Sequence, residues 1–125
     1  MHEMALCTEV VKSVLAIADE ADAVSVDEVS MVIGETRDII IDMFDSFFHF
    51  LARDTIAENA TVVYTTVPVM VECRDCGHRF PLDIRSKTTV GCPSCSNRNY
   101  KMISGNEFLI ESIDVTTREE QALAV

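Results

Sequence analysis

The sequence predicts an α+β fold, in which two helices pack on a three-stranded mixed sheet and a small four-cysteine module of the zinc-ribbon kind is inserted before the last strand. Three observations support this prediction. Two segments carry apolar residues at helical steps, three segments are rich in β-branched residues, and four of the five cysteines form two Cys-x2-Cys pairs. A chain of 125 residues that is 48% hydrophobic has room for one small domain with such a module.

The two predicted helices differ in the width of their apolar faces. The first, over residues 4–20, has a narrow stripe that includes Cys7, which we expect to be a buried core thiol. The second follows Gly34 and has one wide apolar face. The stripe of the first helix consists of Met4, Cys7, Val11, Val14, Leu15 and Ala18, and that of the second of Ile40, Phe44, Phe47, Phe48 and Leu51.

Three β segments and a tail complete the predicted fold. The strands cover 24–33, 60–71 and 108–115, and Pro68 within the second implies an edge position or a bend. Residues 116–125 are expected to form a polar, mobile tail. The predicted domains are therefore 1–71 together with 104–125, and the inserted module at 72–103, with the last strand returning to the sheet made by the first two.

Cys73, Cys76, Cys92 and Cys95 have the spacing of a structural zinc site, because two residues between thiols let both sulfurs of a pair bind one tetrahedral ion. Gly77 suits a tight turn with positive φ. Since four thiolates fill the coordination shell, His78 is not expected to be a ligand. Two disulfides, a thioredoxin-like Cys-x2-Cys or a single redox iron are the alternatives that the spacing leaves open.

Composition and charge exclude several functions. The formal net charge of −11 disfavours nucleic-acid binding, which requires lysine and arginine to neutralise phosphates. No catalytic motif is recognisable, which predicts a protein that is not an enzyme. The lack of a long apolar run and of a basic leader, together with zinc-type cysteine spacing, predicts a cytoplasmic protein. The module is locally basic, which would suit an acidic partner.

The residues Met1-His2-Glu3 suggest a second metal site. The α-amine of Met1, the amide nitrogen of His2 and its imidazole Nδ1 would form fused chelate rings around one ion. Nitrogen donors in this arrangement suit the square-planar preference of Ni(II) or Cu(II) better than tetrahedral zinc. On spacing alone, a solvated terminus is the more common interpretation.

A set of short motifs, in order along the chain, carries a more specific signal. The motifs are Met1-His2-Glu3, Ile33-Gly34-Glu35, Thr55 with Ala57-Glu58 and Ala60, Pro68, the two cysteine pairs with Pro93, and Ser104-Gly105-Asn106-Glu107. From residue 1 to about residue 115 the sequence resembles HypA, a family of nickel metallochaperones that act in [NiFe]-hydrogenase maturation.

The resemblance implies a nickel-binding α+β domain with Ni(II) as transferable cargo, and a structural Zn(II) held by the four cysteines. It implies nickel ligation by His2, with Met1 and Glu3 contributing. Some members of the family place an acidic ligand where this chain has Ile40, and Asp38 and Asp42 are the neighbouring candidates to replace it.

The implied partners are a GTPase of the HypB type and the hydrogenase large-subunit precursor, with urease maturation as a further role of some relatives. The protein is expected to be a monomer or a weak homodimer. The alternative interpretation is a zinc-ribbon adaptor that binds other proteins and has no role in nickel delivery.

Overall fold

The computed structural model describes residues 3–86 and 90–123. The chain order of its elements is helix, strand, helix, followed by five strands and a short helix. The elements are α1 (Glu3–Glu20), β1 (Ala23–Gly34), a 3-10 turn (Glu35–Arg37), α2 (Ile41–Leu51), β2 (Thr61–Val67), β3 (Met70–Cys73), β4 (Arg79–Pro81), β5 (Tyr100–Ser104), β6 (Phe108–Thr117) and α3 (Arg118–Leu123). The α+β class and the two main helices are as the sequence predicts.

The described chain divides into two compact units. The first, which we call the helical unit, comprises the described residues up to Met31, Ile39–Thr65 and those from Leu109 onwards. The second, the cysteine unit, comprises Val32–Asp38 and the described part of Thr66–Phe108. The cysteine unit therefore includes the end of β1 and the loop before β6. The predicted domain boundaries, which limit the module to 72–103, assign both segments to the α+β domain instead. Those boundaries stay a prediction.

The core of the helical unit lies where α1 packs on α2. Cys7 and Val14 from α1 and Phe44 and Phe48 from α2 are fully buried. Full burial of such side chains stabilises the fold by roughly 1.5–3 kcal/mol each. The predicted core thiol at Cys7 is thus confirmed.

The predicted apolar faces are too broad at two positions. Met4 in the first turn of α1 and Ile40 at the start of α2 are both exposed, Ile40 to 57%. On α1 the buried side chains also include Val10, which the predicted stripe omitted. Val10 lies three residues after Cys7 and four before Val14, so it falls on the same face of the helix. Periodicity identified the helices correctly but could not fix the edges of their buried faces.

The sheet of the helical unit has the strand order β2-β1-β6. The last strand therefore pairs with β1, as predicted for a strand that returns after an insertion. The prediction of one strand over 60–71 was wrong. The chain breaks at Pro68, and β3 belongs to a second sheet of order β4-β3-β5. Proline lacks the N–H that a continuous ladder would need there.

The polar tail predicted at 116–125 has regular secondary structure in the part that the structure describes. Residues Arg118–Leu123 form α3. The Glu120 N–H donates to Thr117 Oγ1 at 3.1 Å, and the Thr117 N–H donates to Glu120 Oε1 at 3.3 Å. Threonine followed three residues later by glutamate is a capping box, a helix-start signal that is present in the sequence.

Candidate metal centre

The sheet of the cysteine unit positions the first cysteine pair. Cys73 ends β3, which pairs antiparallel with β4 on one side and with β5 on the other. Glu72 in the same strand accepts a hydrogen bond from Arg79 Nε at 3.0 Å and lies 3.3 Å from Lys101 Nζ. These two cations lower the pKa of the Glu72 carboxyl. The ion pairs thus join all three strands beside Cys73.

The two cysteine pairs have the same backbone geometry. The Cys73 N–H donates to His78 O at 2.9 Å, and the Cys92 N–H donates to Asn97 O at 2.7 Å. The return bonds are also equivalent, since Gly77 N–H donates to Cys73 O and Ser96 N–H donates to Cys92 O. Each pair therefore sits in a closed turn, which we call a knuckle.

Each knuckle contains one residue with left-handed backbone geometry. Gly77 has φ +77° and Ser96 has φ +66°. The predicted need for positive φ at Gly77 is confirmed. In the second knuckle the same need falls on a serine, which has a Cβ and is strained in this conformation.

The four sulfur atoms converge. All lie within 4.8 Å of one another, with Sγ–Sγ distances of 3.5 Å for Cys73 and Cys95 and 3.6 Å for Cys76 and Cys92. Four sulfurs at roughly 2.3 Å from one tetrahedral zinc lie roughly 3.8 Å apart. All four cysteines are free, which disfavours the alternative of two disulfides. The donor set therefore fits one tetrahedral ion, and binding of zinc rather than iron stays a prediction.

The knuckle backbone directs amide hydrogens at Cys73 and Cys92. The Cys76 N–H is hydrogen-bonded to Cys73 Sγ, and it lowers the pKa of that thiol to about 7 against the opposing effect of desolvation. The Ser94 N–H points at Cys92 Sγ from 3.4 Å. Amide hydrogens aimed at a sulfur favour its thiolate, which is the form that binds metals.

An apolar cluster supports the two knuckles. Cys73 and Cys92 are buried with Val69, Val71 and Phe80. The ring of Tyr100 meets Phe80 edge-on, with ring centroids 5.5 Å apart. His78 is exposed and stacks on Phe80 with centroids 6.0 Å apart. It is not among the clustered ligand atoms, as predicted.

Two glycine motifs of the sequence meet beside this unit's sheet. A Cβ added to Gly34 would lie 2.2 Å from the carbonyl oxygen of Gly105. The Gly34 N–H donates to Glu107 O at 2.6 Å, and the Thr36 N–H donates to Gly105 O at 2.9 Å. The Val69 N–H donates to Glu35 Oε1 at 3.0 Å. The Gly34-Glu35 and Gly105-Asn106-Glu107 motifs thus fasten β1 and the loop before β6 to the start of β3.

Of the residues predicted to bind nickel, Met1 and His2 lie outside the described residues. Glu3 is the first residue of α1 and is half-buried. Asp42 is exposed in the first turn of α2, and Asp38 is exposed with φ +53° at the end of the 3-10 turn. The nickel ligand set therefore stays a prediction.

Sequence reasoning missed one polar cluster of the helical unit. The Tyr64 hydroxyl donates to Asp45 Oδ1 at 2.8 Å, and His49 Nε2 lies 3.5 Å from Asp45 Oδ2. Burial first, and then the bond to Asp45, raises the pKa of Tyr64. His49 is half-exposed on α2. The Asp45–His49 spacing of four residues on a helix was the available signal.

Comparisons with known proteins identify related chains. Residues 1–115 match the family model described as "Hydrogenase/urease nickel incorporation, metallochaperone, hypA". The chain is 37% identical over 122 residues to "Hydrogenase maturation factor HypA" of Dehalococcoides mccartyi (strain CBDB1), covering 98% of this chain and 100% of that protein. It is 27% identical over 126 residues to the protein of that name from Methanococcus maripaludis (strain C7 / ATCC BAA-1331), covering 97% and 100%.

Solved structures show the same fold. The solution structure of the Ni metallochaperone HypA from Helicobacter pylori superposes with a TM-score of 0.65 at 23% identity, covering 94% of this chain and all of that one. A second structure, described as the solution structure of HypA protein, gives a TM-score of 0.70 at 23% identity, with 92% and 96% coverage.

None of the helices in residues 3–86 and 90–123 combines the length and apolarity needed to cross a membrane.

Proposed function

The chain belongs to the HypA family of nickel-incorporation metallochaperones that act in hydrogenase maturation, and we propose that it carries Ni(II) on a chelate formed by Met1, His2 and Glu3. It is a metallochaperone and not an enzyme. The observation that carries the proposal is the extent of the family match, which begins at residue 1 and so includes Met-His-Glu as well as both cysteine pairs.

The chemistry of the proposed nickel site suits a carrier. With Met1 as the first residue, its amine, the His2 amide nitrogen and the His2 imidazole offer three nitrogen donors in fused rings, a set that suits square-planar Ni(II). Glu3, the third residue of the proposed site, begins α1. A chelate at a chain end exchanges its ion more readily than a closed shell of four thiolates does, and delivery requires exchange.

The second metal has a different role in this proposal. Zn(II) bound by Cys73, Cys76, Cys92 and Cys95 is structural, because four thiolates leave no open coordination position. The convergence of the four sulfurs supports this assignment. The ion would hold the two knuckles together, since the apolar cluster beneath them is small.

The proposed pathway of delivery is cytoplasmic. Nickel is received from, or together with, a HypB-type GTPase and passes to the large-subunit precursor of [NiFe]-hydrogenase. Delivery to urease is a further role consistent with the family description. The carrier acts as a monomer or a weak homodimer.

Histidine substitutions test the proposed nickel site, because the chain contains three histidines in different settings. We expect His2→Ala to lower nickel affinity by more than tenfold, whereas His49→Ala and His78→Ala leave it unchanged. Isothermal titration of untagged proteins with Ni(II) measures this, with zinc content as a check on the fold. Equal affinity in all three variants would support the zinc-ribbon adaptor instead.

A further inference from the structure

Helix α2 has two apolar faces, and only one of them is buried within the helical unit. Phe44 and Phe48 are fully buried. Ile40, Met43 and Phe50 are instead exposed to 57%, 42% and 54%. Single exposed apolar side chains are common on protein surfaces, but two of them on one short helix with a third at its N-cap form a surface that needs an explanation.

The exposed residues lie on one line. Ile40, Met43, Phe47 and Phe50 follow steps of three, four and three residues, and Phe47 between them is half-buried. We call this line the α2 seam. Steps of three and four place side chains along one edge of a helix, in the pattern by which one helix packs against another. The seam therefore suits a helical partner better than an extended peptide.

The seam adjoins the buried face of α2. Phe44 and Phe48, on the adjoining face, anchor α2 in the core, and the Arg53 guanidinium lies 4.3 Å from the centre of the Phe50 ring. A preformed apolar surface loses less conformational entropy on binding than a mobile one. The backbone of the seam is thus held in place by the buried face of the same helix.

The distribution of charge indicates what kind of helix would bind. The three segments that form the helical unit, 1–31, 39–65 and 109–125, contain 15 of the 21 acidic residues and 3 of the 10 basic residues. The cysteine unit contains the remaining 6 acidic and 7 basic residues. An acidic surface repels nucleic acid and anionic lipid headgroups, and it attracts a basic protein.

We propose that the α2 seam of Ile40, Met43, Phe47 and Phe50 is a docking site for a basic amphipathic helix of a partner protein. The apolar face of that helix would cover the seam, and its lysine and arginine residues would face the acidic surface of the helical unit. The proposal extends the proposed function, because a carrier must dock on the proteins that supply or accept its nickel. Its test requires no nickel, so the docking site and the nickel site can fail separately.

Synthetic helices provide the probe. The first is a fluorescent peptide of about five helical turns with leucine at heptad a and d positions and lysine at most others. The second has the same composition, with the leucines moved off the heptad pattern. The third replaces lysine by glutamate. We expect the first peptide to bind the full-length, zinc-loaded protein in fluorescence anisotropy at least tenfold more tightly than either of the others.

Paired substitutions locate the binding site. Met43→Ser with Phe50→Ser removes the exposed centre and end of the seam, and we expect at least tenfold weaker binding of the first peptide. Ile17→Ser with Val63→Ser is the matched control, because both residues are similarly exposed apolar residues of the helical unit. That control should bind as the unchanged protein does. Circular dichroism verifies that both variants stay folded.

Three results would overturn the proposal. One is equal binding of all three peptides, and another is equal loss of binding in both double variants. The third is a concentration-dependent dimer that Met43→Ser with Phe50→Ser abolishes, because the seam would then be occupied by a second copy of this chain.

Discussion

Gly77 and Ser96 occupy equivalent positions in the two knuckles, four residues after Cys73 and Cys92, and both have left-handed φ angles of +77° and +66°. Each donates its N–H to the carbonyl of the first cysteine of its pair. Glycine adopts this conformation without steric cost, whereas serine does so against the contact of its Cβ with the backbone. The second knuckle is therefore held under strain by its surroundings.

This asymmetry predicts opposite effects of two substitutions. Ser96→Gly should stabilise the zinc-loaded protein by about 0.5–1 kcal/mol, because it removes the cost of the left-handed backbone. Gly77→Ser should destabilise it by about 1–2 kcal/mol through that cost alone, since a Cβ at Gly77 would meet no atom within 4 Å. Chemical denaturation at fixed zinc concentration measures both. A loss of stability in Ser96→Gly, or a gain in Gly77→Ser, would show that the backbone angles do not control knuckle stability.

The metal assignment predicts the result of removing one sulfur. Cys92→Ala should lose tightly bound zinc and melt the sheet of the cysteine unit, because structural zinc binding is coupled to folding. The helices of the other unit should persist, since their core contains Cys7, Val14, Phe44 and Phe48 and no metal ligand. Elemental analysis and circular dichroism measure the two effects. Cys7→Ala is the control that keeps its zinc, and full zinc content in Cys92→Ala would exclude the four-cysteine site.

The sequence predicted the metal module better than it predicted the strands around it. The two Cys-x2-Cys pairs and Gly77 are local signals, because the geometry of a knuckle depends on a few adjacent residues. The division of residues 60–71 between two sheets is not local, since it depends on which strands pair with β3. Pro68 marked the break but could not identify the partners of the strand that follows it.

The same distinction applies to the glycines. Gly34 and Gly105 stood out in the sequence as parts of motifs, yet their role is a contact across about seventy positions of the chain. Periodicity likewise placed Ile40 on a buried face, although the buried face of α2 extends only over Phe44 and Phe48. How much of an apolar face is covered depends on the packing of other elements, which a periodic pattern does not describe.

The contact of Gly34 with Gly105 predicts a strong effect of one methyl group. In Gly34→Ala the added Cβ would lie 2.2 Å from the Gly105 carbonyl oxygen, so the backbone would have to shift. Overpacking of this kind costs about 1–3 kcal/mol. Gly77→Ala adds its methyl group in open space, so it loses stability only through the left-handed backbone of residue 77, a separate cost of about 1–2 kcal/mol. Thermal unfolding of the zinc-loaded variants compares them, and an unchanged stability of Gly34→Ala would mean that the two segments do not meet in this way.

The buried thiol of Cys7 predicts an alkaline loss of stability. Burial, followed by the negative charge of Asp45, raises the pKa of Cys7 to about 12, from about 8.5 in an unfolded chain. The folded state thus retains a proton that the unfolded state releases, so this contribution to stability is complete below about pH 8.5 and is lost as pH rises towards 12.

A substitution isolates that contribution. Cys7→Ala should be less stable at neutral pH, because it leaves a small cavity, but its stability should fall less steeply between about pH 9 and 11. Urea denaturation across this range compares the two slopes, and the zinc thiolates, common to both proteins, cancel in the comparison. Parallel slopes would show that Cys7 ionises as readily in the folded protein as in the unfolded chain.

The central claim is that nickel binds through the α-amine of Met1 and the side chain of His2, and an extended N-terminus tests it most directly. Two added residues convert that amine into an amide, which gives up its proton far less readily than an amine with a pKa of about 7.7–8.0. Calorimetric titration of the native and extended proteins with Ni(II) at one pH measures the consequence. We predict at least tenfold weaker binding in the extended protein, about 1.4 kcal/mol, with unchanged zinc content and fold. Equal nickel affinity in the two proteins would contradict the terminal chelate and the mechanism of delivery built on it.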